Sequence, residues 1–332
     1  MAHGSGDSRK VVLAALSGNA AIATAKFVAA FLSGSAAMLA EAVHSLADTA
    51  NQLMLLIGMG MSRQRDPERY PLGRDAESYF WAFIVALMLF FVGGVYAIVE
   101  GAHKLLHPDT PGSPIAPLIV LGLSIVFEGA SFSVAFREFQ RSRGTKSVGE
   151  ALFGGKDPTI PIVLLEDTAA ITGLVVAFIA IGVSAVTGST FADGVGSVII
   201  GALLCAVGVA LGRDTRSLLI GESATLAARA RARELSTATP GVEEVTQLLS
   251  LHLGPTSVLL ALKVRFRAGA SLAEIERITD DLEARVRAEL PQMKRIFVEA
   301  DGDYDASLDP YLRPAGASLP PAPPSKRDGA DG

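Results

Sequence analysis

The chain has 332 residues, of which 50% are hydrophobic and 19% charged, with a net charge of −5 at pH 7. That is too apolar for an ordinary water-soluble domain, and the acidic balance offers nothing to a nucleic-acid partner. The single cysteine, Cys205, excludes an intramolecular disulfide and reads as a small buried hydrophobe.

Taken in order, six apolar stretches are long enough to cross a bilayer core, which needs about 20 helical residues. They run over roughly residues 11–32, 36–61, 79–106, 115–137, 159–186 and 192–212. The first contains Lys26, is too long for a signal peptide, and ends at Ser33-Gly34-Ser35 before a second span begins, so it is expected to be retained. Basic residues concentrate on one side of these spans. Arg9 and Lys10 precede the first; Arg63, Arg65, Arg69 and Arg74 lie between the second and third; Arg137, Arg141, Arg143, Lys146 and Lys156 lie between the fourth and fifth. The opposite loops hold little beyond Lys104. Positive loops stay in the cytoplasm, so both termini are expected there, with the protein in the cell (inner) membrane.

From Glu222 onward the charge density rises and the chain reads as a soluble domain. The pattern predicts a helix from about 222 to 237, a break at Pro240-Gly241, a strand over 243–252, a turn at Gly254-Pro255 and a strand from Ser257 to Arg267. Ser271 then caps a helix to about Leu290, Glu274 completes a capping box, and Arg295 to Glu299 forms a last strand. The expected architecture is a membrane all-α protein of six transmembrane helices with a C-terminal cytoplasmic ferredoxin-like α/β domain. The expected boundaries are 1–10 (cytoplasmic tail), 11–220 (membrane domain), 221–302 (α/β dimerisation domain) and 303–332 (disordered tail).

Charges inside the membrane mark function, because each costs on the order of 2.5–3.5 kcal/mol on insertion scales. In the second span Glu41, His44, Asp48 and Asn51 follow steps of three, four and three, which places them on one helical stripe. His44 and Asp48, one turn apart, form a two-ligand half-site for a metal ion. Glu166 and Asp167, in the otherwise apolar fifth span, supply the other half. A lone intramembrane histidine is often only a hydrogen-bond donor between helices, and a lone glutamate can pair with a lysine such as Lys26. One histidine with two Asp and two Glu in two spans favours metal. Glu41 and Asn51 read as supporting groups rather than ligands, and Lys26, Glu100, Glu128 and Asp193 as packing, helix-end or water-access residues. His252 reads as a surface or core histidine.

The run Leu39-Ala40-Glu41-Ala42-Val43-His44-Ser45-Leu46-Ala47-Asp48 resembles the second-helix signature of the cation diffusion facilitator family. Arg69-Tyr70-Pro71-Leu72-Gly73-Arg74, leading to Tyr79-Phe80-Trp81, is similar to that family's loop and third-helix entry. In the fifth helix most of the family repeats the ligand pair, whereas here Ala170 stands where the second acid is expected. The run Leu164-Leu165-Glu166-Asp167-Thr168-Ala169-Ala170 is similar to the zinc-transporter-9-like branch. That resemblance implies a site of His44, Asp48 and Glu166, with water or Asp167 as fourth ligand. It also implies a proton-coupled exporter of divalent cations acting as a homodimer. A mixed nitrogen and oxygen site suits Zn²⁺ first, with Mn²⁺, Fe²⁺ or Co²⁺ as alternatives. With Tyr70 and Arg74 in the loop, the family's second histidine site is expected to be absent. With His252 as the only histidine beyond 107, the α/β domain is expected to pair protomers with weak or no metal binding. No prosthetic group is expected. An enzyme is disfavoured, since the chain has no His-Glu-x-x-His, phosphate-loop or nucleophile-elbow motif. The alternative is a non-transporting metal-binding scaffold or sensor of the same fold.

Overall fold

The computed structural model describes residues 5–33, 36–107, 113–143, 147–153 and 156–302. Several side chains within these segments lie outside the described residues, among them those of Glu41 and His44, as does the expected tail at 303–332.

Apolar sequence becomes helix in the membrane part because no water is present to satisfy the backbone. α1 spans Ser5–Ser33, α2 Ala36–Met61, α3 Glu77–Met88, α4 Tyr96–Leu106, α5 Ile115–Arg143, α6 Val148–Phe153, α7 Thr159–Thr187 and α8 Phe191–Ile220. Helical structure thus begins at Ser5, inside the segment that composition reads as a tail. Among the described residues, five helical stretches are long and apolar enough to cross a membrane: Val11–Val28, Glu77–Leu106, Pro117–Arg141, Thr159–Thr187 and Phe191–Ile220. α2 is long enough too, at 26 residues and therefore about 39 Å. Its polar stripe of Glu41, His44, Asp48, Asn51 and Gln52 sets it apart from the other five. The molecule is an integral membrane protein.

α3 and α4 form one continuous span through a π-helical segment, Leu89–Val95. The wider turn falls at Gly93-Gly94, where α8 comes within backbone contact. A Cβ on Gly201 would lie 2.6 Å from the Gly94 carbonyl oxygen, and one on Gly94 2.8 Å from the Cys205 nitrogen. Gly101 faces Gly194 further along, and Gly208 faces Ala86 and Phe90, so glycines line the whole seam. Cys205 belongs to this seam, its Sγ 3.8 Å from the Phe90 carbonyl oxygen, in keeping with a packing role. Gly201→Ala should cost about 1–3 kcal/mol by overpacking, read as a lower melting temperature in detergent; an unchanged melt would show that the seam can part freely.

The chain divides into two compact units, Met1–Ala224 with Leu251–Leu259, and Thr225–Ser250 with Leu260–Gly332. In the second unit Thr225 Oγ1 accepts from the Ala228 amide and starts α9, Leu226–Thr237, four residues later than the charge pattern predicts. Gly241, at φ 95°, makes the turn into β1, Val242–Gly254. β2 is Ser257–Phe266, α10 Leu272–Glu289 and β3 Met293–Ala300, and the sheet order is β1-β2-β3. Leu260, Leu262 and Val264 alternate into the interior, where Leu282, Val286 and Met293 of this unit also lie. The Ser271–Glu274 capping box is formed as predicted. This small α/β sheet domain is consistent with a ferredoxin-like unit.

The β1–β2 hairpin tip belongs to the first unit. There the His252 amide donates to the Glu222 carbonyl oxygen at 2.8 Å, and the Glu222 carboxylate pairs with Lys156. The buried phenol of Tyr79 donates to the Lys156 carbonyl oxygen at 3.0 Å. These bonds hold residue 222 in an extended link, which is why helix waits until Leu226. His252 is 8% exposed and donates from Nδ1 to the Gly254 carbonyl oxygen at 3.3 Å. Burial foremost, with Lys156 adding to it, holds the imidazole below its ordinary value against Glu222 and that carbonyl. A depressed value means the fold prefers the neutral ring. Its contribution is full above about pH 6.5 and fades as pH falls through the folded-state value. The melting temperature should therefore drop more between pH 7 and 5.5 in the parent protein than in His252→Gln; equal drops would remove His252 as the cause.

Candidate metal centre

α2 is polar inward and apolar outward. Ser45, Asp48, Asn51 and Gln52 are buried, whereas Leu46, Leu53 and Ile57 are exposed in a direction suited to lipid. α7 enters the core with an unbroken buried run, Pro161 to Leu164, then presents Glu166 and Asp167, each only 3% exposed.

The two helices meet at Glu166. Asn51 Nδ2 donates to Glu166 Oε1 at 2.8 Å, and Gln52 Nε2 donates to Oε2 at 3.4 Å. Gln52 is in turn held through its Oε1 by Asn19 Nδ2 of α1 at 3.3 Å. Two amide donors therefore fix the orientation of one carboxylate inside an apolar bundle, the kind of support that ligating groups receive from outer-shell partners. Glu166 and Asp48 share a cavity of about 350 Å³, also lined by Asn51, Ala170, Gly93 and Leu204. Its polar groups come from α2 and α7 alone, so a cation entering it meets two carboxylates against an otherwise apolar wall.

Asp167 sits differently. It does not line the cavity, and its Oδ2 has no hydrogen-bond partner among the described residues, although Glu128 and Asp48 act on it electrostatically. His44 lies on α2 one turn before Asp48, with its side chain outside the described residues. Among the described residues no three His, Cys, Asp or Glu side chains converge on one point. Of the four predicted ligands, then, Asp48 and Glu166 come together and Asp167 stands apart. Asn51 hydrogen-bonds across helices to Glu166. Sequence reasoning did not single out Asn19 or Gln52. Asn19 in α1 and Gln52 beside Asn51 in α2, amides within membrane spans, were the available signal.

A second buried cluster adjoins this one. Lys26 of α1 donates to Ser45 Oγ of α2 at 2.7 Å, and its Nζ is 3.9 Å from Glu128 Oε1 of α5. The packing role expected of Lys26 and Glu128 thus becomes a specific buried ion pair. In the loop before α3, where a second histidine site would fall, the Arg74 guanidinium lies 4.7 Å from the Tyr70 ring centre and pairs with Glu77 at 2.7 Å.

The helix bundle holds, within its membrane part, a partly open cavity with two carboxylates in an otherwise apolar wall, and such a bundle is the framework of a membrane transport protein. The profile of the cation efflux transmembrane domain matches residues 12–220, and the chain belongs to the cation efflux family, a family of transporters. It is 33% identical over 261 residues to the proton-coupled zinc antiporter SLC30A9, mitochondrial, of Mus musculus, covering 78% of this chain and 45% of that protein. It is also 33% identical over 218 residues to metal tolerance protein C4 of Arabidopsis thaliana, 65% of this chain and 48% of that one. The magnetosome protein MamB of Magnetospira sp. (strain QH-2) is 27% identical over 275 residues, 83% of this chain and 88% of its own. The chain spans about half the length of the first two.

Proposed function

We propose that this protein is a secondary transporter that exports divalent metal cations, zinc foremost, from the cytoplasm in exchange for protons. The observation that carries the reading is the cavity whose wall includes both Asp48 of α2 and Glu166 of α7, with Glu166 held by Asn51 and Gln52. The similarity to a protein named a proton-coupled zinc antiporter supports both the exchange and the metal. His44, one turn from Asp48, supplies the nitrogen ligand, and Asp167 or water completes the shell. Mn²⁺, Fe²⁺ and Co²⁺ are accommodated by the same donor set.

The mechanism follows from the ligands. Imidazole and carboxylate bind a metal only when deprotonated, so protons and metal compete for one site. When the site opens to the cytoplasm, metal displaces protons; when it opens to the other side, the proton gradient displaces metal. Three protein ligands favour release over retention. The termini face the cytoplasm of a cell (inner) membrane, and 221–302 pairs two protomers.

Uptake of Zn²⁺ into everted vesicles should rise when the lumen is made acid and collapse on adding a protonophore. Uptake indifferent to the gradient would make the protein a uniporter, and binding without flux in proteoliposomes would make it the scaffold or sensor.

A further inference from the structure

Asn19 of α1 and Gln52 of α2 are fully buried amides, and neither is in the wall of the cavity that holds Asp48 and Glu166. They act on that site through Glu166. Asn19 Nδ2 donates to Gln52 Oε1 at 3.3 Å, and Gln52 Nε2 donates to Glu166 Oε2 at 3.4 Å. The hold on the two carboxylate oxygens is unequal: Asn51 grips Oε1 at 2.8 Å, a full-strength distance, whereas Gln52 reaches Oε2 near the limit of a hydrogen bond. The freedom of Oε2 therefore depends on how firmly Gln52 is placed, and Asn19 places it. Asn19 is also kept at a cost, because its Oδ1 is buried with no hydrogen-bond partner among the described residues. A buried polar group that leaves an acceptor unused calls for a reason other than stability.

We propose that Asn19 is a positioning residue that sets metal preference. By pinning Gln52 it keeps a donor on Oε2 as well as on Oε1, which resists turning both oxygens of Glu166 onto one ion, so the carboxylate binds through one. One-oxygen binding suits Zn²⁺, which completes its shell with four ligands. Mn²⁺ prefers six, mostly oxygen, and loses more when a carboxylate gives one oxygen instead of two. This rests on the metal centre proposed above and concerns its metal-loaded state, in which Glu166 is ionised because only the carboxylate binds the ion.

Asn19→Leu should lower the ratio of Zn²⁺ to Mn²⁺ affinity roughly tenfold, the lower end of what a supporting group contributes at a metal site. Its stability should hardly change, because leucine trades one unpaired buried acceptor, Asn19 Oδ1, for another, Gln52 Oε1. Gln52→Leu should lower the ratio as much. Asn19→Leu with Gln52→Leu should lower it no further than Gln52→Leu alone, since Asn19 acts through Gln52. Titration calorimetry with each metal on purified full-length protein, alongside thermal melts, reads all three variants. A purely structural pair would shift the melts and move both affinities together, leaving the ratio at its parent value. A folded Asn19→Leu protein with the parent ratio, or losses that add in the double variant, overturns the proposal while the parent still binds Zn²⁺. A parent that binds neither metal removes the metal centre and this inference with it. Asn19→Ala gives the same ratio test if Asn19→Leu does not fold.

Discussion

Glu166→Gln should abolish most Zn²⁺ binding while leaving the protein folded. The amide keeps the shape of the carboxylate and can still be held by Asn51 and Gln52, so the packing between α2 and α7 survives. What it loses is the negative charge and one metal-binding oxygen. The loss should exceed the roughly 10–100-fold that changes in supporting groups produce. His44→Ala and Asp48→Ala should match it. Asp167→Asn should be milder, because Asp167 is buried outside the cavity wall that Asp48 and Glu166 share. Titration calorimetry with Zn²⁺ and Mn²⁺, alongside thermal melts, separates lost binding from lost folding. Unaltered affinity in a folded Glu166→Gln protein would transfer the ligand role to Glu41 or Asp167.

Ala170→Asp should strengthen binding and slow transport. Ala170 lines the same cavity one helical turn beyond Glu166, so an acid there would point a third carboxylate at the space between Asp48 and Glu166. An added oxygen ligand raises affinity by on the order of 10-fold or more, as the coupling of charged groups in contact allows, and tighter holding makes release the slow step. Steady-state flux in proteoliposomes should fall as equilibrium affinity rises. Higher affinity with undiminished flux would show that release of the ion does not limit the cycle.

Much of this was legible in the residues. The apolar runs mark the spans because lipid admits little else, and Asp48 and Glu166 stand out because a carboxyl in an apolar helix is costly enough to need a reason. The β2 alternation and the Ser271–Glu274 capping box placed β2 and α10 within a residue or two. What stayed hidden were choices of partner. Asn19 and Gln52 carry no charge and sit unobtrusively in helical sequence, so only the fold reveals that they end in a chain on Glu166. Lys26 and Glu128 are 102 positions apart, and nothing local links them. The π-helical turn and the short helix Val148–Phe153 have no periodic signature of their own. The resemblance put Glu166 ahead of Asp167, and the rotation of about 100° between helical neighbours leaves Glu166 alone of the two in the cavity wall.

The glycine seam between the α3–α4 span and α8 bears on how such a protein could open. Where two helices touch backbone to backbone, with a missing Cβ as the only clearance, sliding or twisting of one against the other brings carbonyl into carbonyl within a fraction of an ångström. The pair is therefore a stator. The cavity has one wall on this stator, through Gly93 and Leu204, and the other on α2 and α7, which carry Asp48 and Glu166. Between α2 and α7 the links at that point are hydrogen bonds from amides, which can be exchanged for water one at a time. In the proposed exchange, access from alternate sides then falls foremost to α2, which carries Asp48, because α7 is itself packed closely on α8 where Gly196 meets Ala180.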